Sequence, residues 1–153
     1  MSELAPSILS ADFMHLGEQL HLLENSGTRV LHIDVMDGAF VPSISFGMPV
    51  IRSIRRNSSM FFDVHLMINE PVRYVKEFVE AGADSITVHV EACSDIQATI
   101  DAMETTSSIR LRIEFTSLTL NMIPNTLSTV PNVLSIFMNV FMAVPPVSAL
   151  GRM

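Results

Sequence analysis

Histidine and aspartate recur two residues apart in segments that otherwise have the composition of core. In LHIDVM, residues 31–36, His32 and Asp34 alternate with Leu31, Ile33 and Val35, and Met36 follows on the polar parity. FFDVHLM, residues 61–67, repeats the arrangement, with Asp63, His65 and Met67 set against Phe62, Val64 and Leu66. Alternate side chains of a strand share a face, so each segment read as a strand presents one apolar and one polar face. If helices cover the apolar face, the polar one looks into a crevice or a barrel. Two imidazoles and a carboxylate, His32, Asp34 and His65, suit a divalent ion such as Zn, Fe, Mn or Co. Such an ion would polarise a substrate carbonyl and stabilise an enolate-like intermediate, with Asp34 as the base on the adjacent carbon. Met36 and Met67 would line the site with uncharged surface, which strengthens the electrostatics there.

Other groups with chemistry read more plainly. His89, in ITVHVEA, is expected to be structural, because three ligands are already placed. Asp37–Gly38 is a turn signal. His15 and His21 sit at surface positions of a helix, and Cys93 reads as a passive small residue.

The elements that must position these residues alternate along the first hundred or so positions. Short apolar runs at 4–9, 30–36, 61–67 and 85–90 read as strands, with Ser7 towards the end of the first. Between them lie amphipathic stretches. ADFMHLGEQLHLLENSG puts Phe13, Leu16, Leu20 and Leu23 at helical spacing, with Asp12 as N-cap and Gly27 as stop. PVRYVKEFVEAGAD starts a helix at Pro71, lines up Val72, Val75 and Val79, and ends at Gly82. SDIQATIDAMET is a third helix, opened by Ser94 or Asp95. Strand and helix alternating at roughly 25–30 residues is the signature of parallel βα units. In such folds, sites are built at the C-terminal ends of the strands.

The totals narrow the class. With 153 residues and 48% hydrophobic side chains, the chain suits one domain with a real core and is not disordered. A net charge of −7 with a single lysine argues against nucleic acid as a partner. One cysteine excludes a disulfide framework and fits a reducing compartment. The first residues lack the basic start and apolar run of a signal peptide, so the expected location is cytoplasmic. Composition changes near residue 105. Residues 1–104 carry 21 charged side chains, and 105–153 carry 4. The chain is therefore divided into βα units over 1–104 and an atypical tail over 105–153 within the same domain. The apolar run at 133–144 is not expected to span a membrane, given Asn139 and the flanking prolines.

Four stretches, APSILSADF, LHIDVMDGAFVPSISFG, FFDVHLMINEP and EAGADSITVHVEA, resemble the ribulose-phosphate 3-epimerase family, in that order and from about Leu4 to about Glu104. The resemblance implies a metal-dependent (βα)8 TIM barrel that interconverts D-ribulose 5-phosphate and D-xylulose 5-phosphate through an enediolate. It implies His32, Asp34 and His65 as metal ligands, and Ser7 and His65 as substrate contacts. Asp34 would move the C3 proton, and Met36 and Met67 would pack over the intermediate. The expected fold is thus a truncated barrel of the ribulose-phosphate-binding type, with about four clear βα units. Its open sheet edges give copies of the chain a route to a homo-oligomer. The family pattern also calls for a second Asp from a later strand and for glycine-rich phosphate loops. Here no Asp follows Asp101, and Gly151 is the single glycine after Gly82. An alternative expectation follows: a catalytically inactive truncated or frame-shifted member of the family.

Overall fold

Alternation and β-branched content decide the strands. In the computed structural model, which describes residues 4–106 and 109–114, they are β1 Val30–Met36, β2 Phe61–Met67, β3 Ser85–His89 and β4 Arg110–Glu114. They run parallel in the order β1-β2-β3-β4. Register places His32 beside Asp63, Asp34 beside His65 and Met36 beside Met67. Further along the sheet, His65 lies beside Thr87, and His89 beside Glu114.

Each crossover contains a helix: α2 Met48–Arg55, α3 Val75–Ala81 and α4 Ile96–Glu104, with α1 Leu16–Asn25 ahead of β1. Strand, helix and parallel strand in strict succession make this part of a TIM barrel. β4 lies past residue 104 and continues the sheet. The described residues all belong to one compact unit, residues 1–116.

The strands' apolar parity forms the core. Leu31, Ile33, Phe62, Val64, Leu66, Ile86 and Val88 are fully buried against Leu20, Ile51, Ile54, Val75, Phe78 and Met103 of the helices. Side chains of this size each contribute about 1.5–3 kcal/mol when buried. The other parity, which holds His32, Asp34, His65 and His89, is only partly covered.

Helix ends follow local chemistry. Asp95 caps α4 by accepting from the Ala98 N–H at 3.0 Å. Asp12 caps not α1 itself but a 3-10 turn, Phe13–His15, that leads into it. Gly82 ends α3 at φ +111°, a conformation that side chains with a Cβ rarely adopt.

Two further expectations are revised, and one helix was not expected. The run at 4–9 is not a strand: Ser7 makes one parallel bridge to His32, and the chain then turns into a 3-10 helix, Ile8–Ser10. The Ser7 hydroxyl, which accepts from the Leu9 N–H, starts that turn. The helix from Pro71 is split into a 3-10 turn, Pro71–Arg73, and α3, with Tyr74 at φ −128° between them. Its buried stripe is therefore Val75, Phe78 and Ala81, with Val72 and Val79 only partly covered. Finally, α2 has no counterpart in the sequence reading. It is short, with Pro49 in its first turn, Ile51 and Ile54 buried, and Arg52 and Arg55 in its last turn.

Among the described residues no helix is long and apolar enough to cross a membrane. The run at 133–144 lies outside the described residues.

Candidate active site

Parity carries the polar groups to one face, and register brings them within reach of one another. His32 and Asp34 share a strand face, and their ring and carboxylate meet at Nε2···Oδ1 3.1 Å. One strand over, His65 sets Nδ1 3.4 Å from the same Asp34 Oδ1. One donor atom from each of His32, Asp34 and His65 lies within 4.8 Å of the other two. The second carboxylate oxygen, Asp34 Oδ2, accepts from the Ser7 hydroxyl at 2.5 Å.

The strand end is held firmly. Ser45 donates its hydroxyl to the Asp34 carbonyl at 2.8 Å and accepts the Met36 N–H at 2.9 Å. Asp37 closes the following turn, as its pairing with Gly38 suggested. Its Oδ1 takes the Ala39 and Phe40 N–H groups, and Gly38 sits at φ +76°. Its Oδ2 takes the Asn69 N–H at 2.8 Å, tying the loop after β1 to the loop after β2.

His32 is gripped from both sides. Its Nδ1–H donates to Asp63 Oδ2 at 3.0 Å, while Nε2 faces Asp34. The Asp63 hydrogen bond raises its pKa, with the charges of Asp34 and Asp63 adding to it against the opposing effect of burial. Asp63 is buried, which alone would push its carboxyl upwards. The hydrogen bond and charge of His32, with Arg112 at 3.7 Å, outweigh that and hold it below the ordinary range. For His65 burial dominates and lowers the pKa, opposed by the charge of Glu114. The two imidazoles are thus shifted in opposite directions, His32 upwards and His65 downwards.

A divalent ion fits this donor set. Two imidazole nitrogens and a carboxylate oxygen converge, and a carboxylate stands behind one imidazole, the common arrangement around histidine ligands. With Asp63 holding the Nδ1–H of His32, Nε2 is the nitrogen left to face an ion.

Every residue expected in the site lies on this face or at its rim. Met36 and Met67 are register neighbours one layer towards the strand ends. His15 and His21 stay outside on the first helical segment, 58% and 63% exposed. His89 is more closely involved than expected. Its Nε2 lies 2.7 Å from His65 Nε2, and Phe40 packs against its ring. Sequence reasoning assigned no role to Asp63, Ser45 or Glu114. The parity that flagged His65 also flags Asp63. Glu114 occupies the corresponding parity of RLRIE, but without a histidine in the segment nothing marked it.

The sequence model of the ribulose-phosphate 3 epimerase family matches residues 3–148. Among curated relatives, the ribulose-phosphate 3-epimerase of Bacillus subtilis (strain 168) is 47% identical over 104 residues, which are 68% of this chain and 48% of the relative. That of Synechocystis sp. is 53% identical over 87 residues, 57% of this chain and 38% of the relative. That of Candida glabrata is 44% identical over 108 residues, 60% of this chain and 44% of the relative. The chain spans less than half the length of these relatives.

Proposed function

This chain belongs to the ribulose-phosphate 3-epimerase family, and from that premise we propose that it serves metal-assisted epimerisation at C3 of D-ribulose 5-phosphate, giving D-xylulose 5-phosphate, in the cytoplasm. The observation that carries the reading is the two-sided use of Asp34. One carboxylate oxygen faces the imidazoles of His32 and His65, and the other accepts from the Ser7 hydroxyl. His32, Asp34 and His65 would hold the divalent ion, which when bound supplies Lewis-acid polarisation of the substrate's carbonyl oxygen. Zn, Fe, Mn and Co all suit these ligands.

The chain's own residues divide the remaining work. Asp34 takes the proton from C3, and the electron pair left behind moves into the C2 carbonyl, giving an enediolate of the substrate. Ser7 orients the acting carboxylate and, with His65, contacts the sugar. Met36 and Met67 keep water from the planar intermediate, which protects it from side reactions. Inversion requires return of the proton on the opposite face of C3. The family pattern assigns that step to a second Asp, and no Asp follows Asp101 in this sequence.

That last observation favours a second reading, in which the chain retains an ion-binding half-site without turnover. A coupled assay for D-xylulose 5-phosphate, with purified chain and added Co or Zn, separates the two. Turnover that disappears in Asp34→Asn supports the epimerase reading, with another group as the second acid. Folded protein that binds the ion without turnover supports the second reading. Analytical ultracentrifugation of the same sample tests the further proposal that copies associate through sheet edges.

A further inference from the structure

A neutral imidazole carries one N–H and one lone pair, and the surroundings of each nitrogen decide which is which. His65 is exposed to two different demands. Its Nδ1 lies 3.4 Å from Asp34 Oδ1, and its Nε2 lies 2.7 Å from His89 Nε2. Two nitrogens that close share a single proton, so one ring donates and the other accepts.

The direction follows from what Nδ1 faces. With no ion present, a lone pair on His65 Nδ1 would point at the Asp34 carboxylate and be repelled. The proton then belongs on Nδ1, directed at Asp34, and His89 donates Nε2–H to His65. With a cation among His32, Asp34 and His65, Nδ1 must offer its lone pair. The proton moves to His65 Nε2, and His89 becomes the acceptor. We propose that His89 is the positioning residue for His65, through a hydrogen bond that reverses direction when the ion binds. The inference rests on the reading of His32, Asp34 and His65 as ion ligands.

Two observations make His89 suited to this. Its Nδ1 is buried and has no hydrogen-bond partner among the described residues, so nothing on that side locks its tautomer. Its position is nevertheless fixed. Phe40 packs on the ring at 5.1 Å between centroids, and the Cys93 thiol donates to the His89 carbonyl. Glu114 Oε2, 3.6 Å from His65 Nε2, adds a negative charge that favours a proton on that nitrogen; it opposes the nearer Asp34 in the ion-free state and reinforces the ion in the bound one.

His65, His89 and Glu114 also form a group with donor atoms within 4.8 Å of one another. A second ion is disfavoured by the nitrogen spacing. Two nitrogens on one tetrahedral zinc, with Zn–N near 2.0–2.1 Å, stand about 3.3 Å apart. The 2.7 Å between His65 and His89 is instead a hydrogen-bond length.

The test uses the full chain with 15N-labelled histidine. Long-range proton–nitrogen spectra should show His65 protonated at Nδ1 without metal and at Nε2 with one equivalent of zinc. In Co(II) titrations followed by visible absorption, His89→Leu should weaken binding by about 10–100-fold, the usual effect of losing a residue that orients a ligand. His89→Gln, whose amide can donate or accept, should stay within a few-fold of wild type. Circular dichroism of each variant confirms folding, and the wild-type spectra stand on their own if His89→Leu does not fold. Unchanged Co(II) affinity in folded His89→Leu overturns the proposal and leaves the ion site intact. So does zinc-loaded protein in which His65 Nε2 carries no proton and two ions bind per chain. Wild-type protein that binds no ion overturns this proposal together with the reading beneath it.

Discussion

The sheet carries a cluster of charged and polar side chains at each end of its strands, and the two clusters are built on opposite principles. At the N-terminal end, Arg55 pairs with Asp84 at 3.1 Å and lies 3.8 Å over the Phe62 ring. Asp84 Oδ2 also accepts the Phe62 N–H at 2.7 Å, and Arg55 donates to the Ser58 carbonyl. Arg55 and Asp84 each have an opposite charge and a backbone partner. At the other end, two imidazoles crowd one oxygen of Asp34, and a third imidazole faces one of them nitrogen to nitrogen. Those groups do not complete one another. A structural cluster is satisfied from within, whereas a site is a set of groups whose demands a further species can meet. In parallel βα folds these roles fall at these ends, with stability at the N-terminal rim and chemistry at the C-terminal one.

The largest effect is expected at Asp34. Asp34→Asn keeps the shape and the Ser7 contact but removes the charge that the proposed ion and the proposed proton transfer both require. Loss of a general base costs about 10²–10⁴ in rate. The expected result in an epimerase assay is a fall of at least that size in whatever turnover the chain has. The denaturant midpoint should move less than it does for the next variant. A large loss of stability with turnover retained would reverse the assignment of the two ends.

Asp84→Ala is the mirror experiment. It strands the Arg55 guanidinium and leaves the buried Phe62 N–H without its acceptor. An unsatisfied buried group costs about 1–3 kcal/mol. Urea unfolding should show that loss, while Co(II) affinity stays at the wild-type value because the side-chain partners of Asp84 among the described residues, Arg55 and the Phe62 N–H, lie outside the candidate site.

A smaller effect is expected from Asp63→Asn, where the two principles meet. Asp63 is buried like a structural residue yet serves His32. The amide oxygen can still accept the His32 Nδ1–H, but its charge is gone. The loss in ion affinity should fall near the lower end of the roughly 10–100-fold range for residues behind a ligand. Isothermal titration with zinc measures it, and an unchanged constant would make Asp63 merely structural.

The open end was far more legible in the sequence than the closed one. Period-two alternation fixes parity without any tertiary knowledge, so His32, Asp34, Met36, His65 and Met67 could be put on one face from spacing alone. Gly27 and Gly82 marked helix ends for a similarly local reason, since both take positive φ. The closed end escaped notice because its partners are distant in sequence: Arg55 and Asp84 are 29 residues apart. Arg55 also lies on α2, a helix too short to show a clear amphipathic repeat. His89 was underrated for a related reason. Its parity was visible, but its approach to His65 depends on how adjacent strands tilt. Ser7 illustrates the reverse error, where an apolar run suggested a strand and a serine cap made a turn.

The smallest effect is expected at Glu24, which extends the closed end. At the last turn of α1, Glu24 Oε1 accepts the Ser59 N–H at 2.7 Å and the Ser58 hydroxyl at 2.8 Å. Ser58 also offers its carbonyl to Arg55, so Glu24 joins the same network from the helix side. The Ser59 N–H, followed by the Ser58 hydroxyl, holds the Glu24 carboxyl below its usual value of 4.5. Lowering in the folded state means that the charged form is the stabilising one. Its contribution is complete above the unfolded-state pKa and disappears as pH falls through the folded-state value. Glu24→Gln should therefore lower stability by a constant small amount from neutral pH down to about pH 5, where an ordinary carboxyl starts to titrate. Below that the gap between the two proteins should close. A gap that persists unchanged to pH 3 would mean that Glu24 acts through packing, and that the network at the N-terminal rim ends at Ser58.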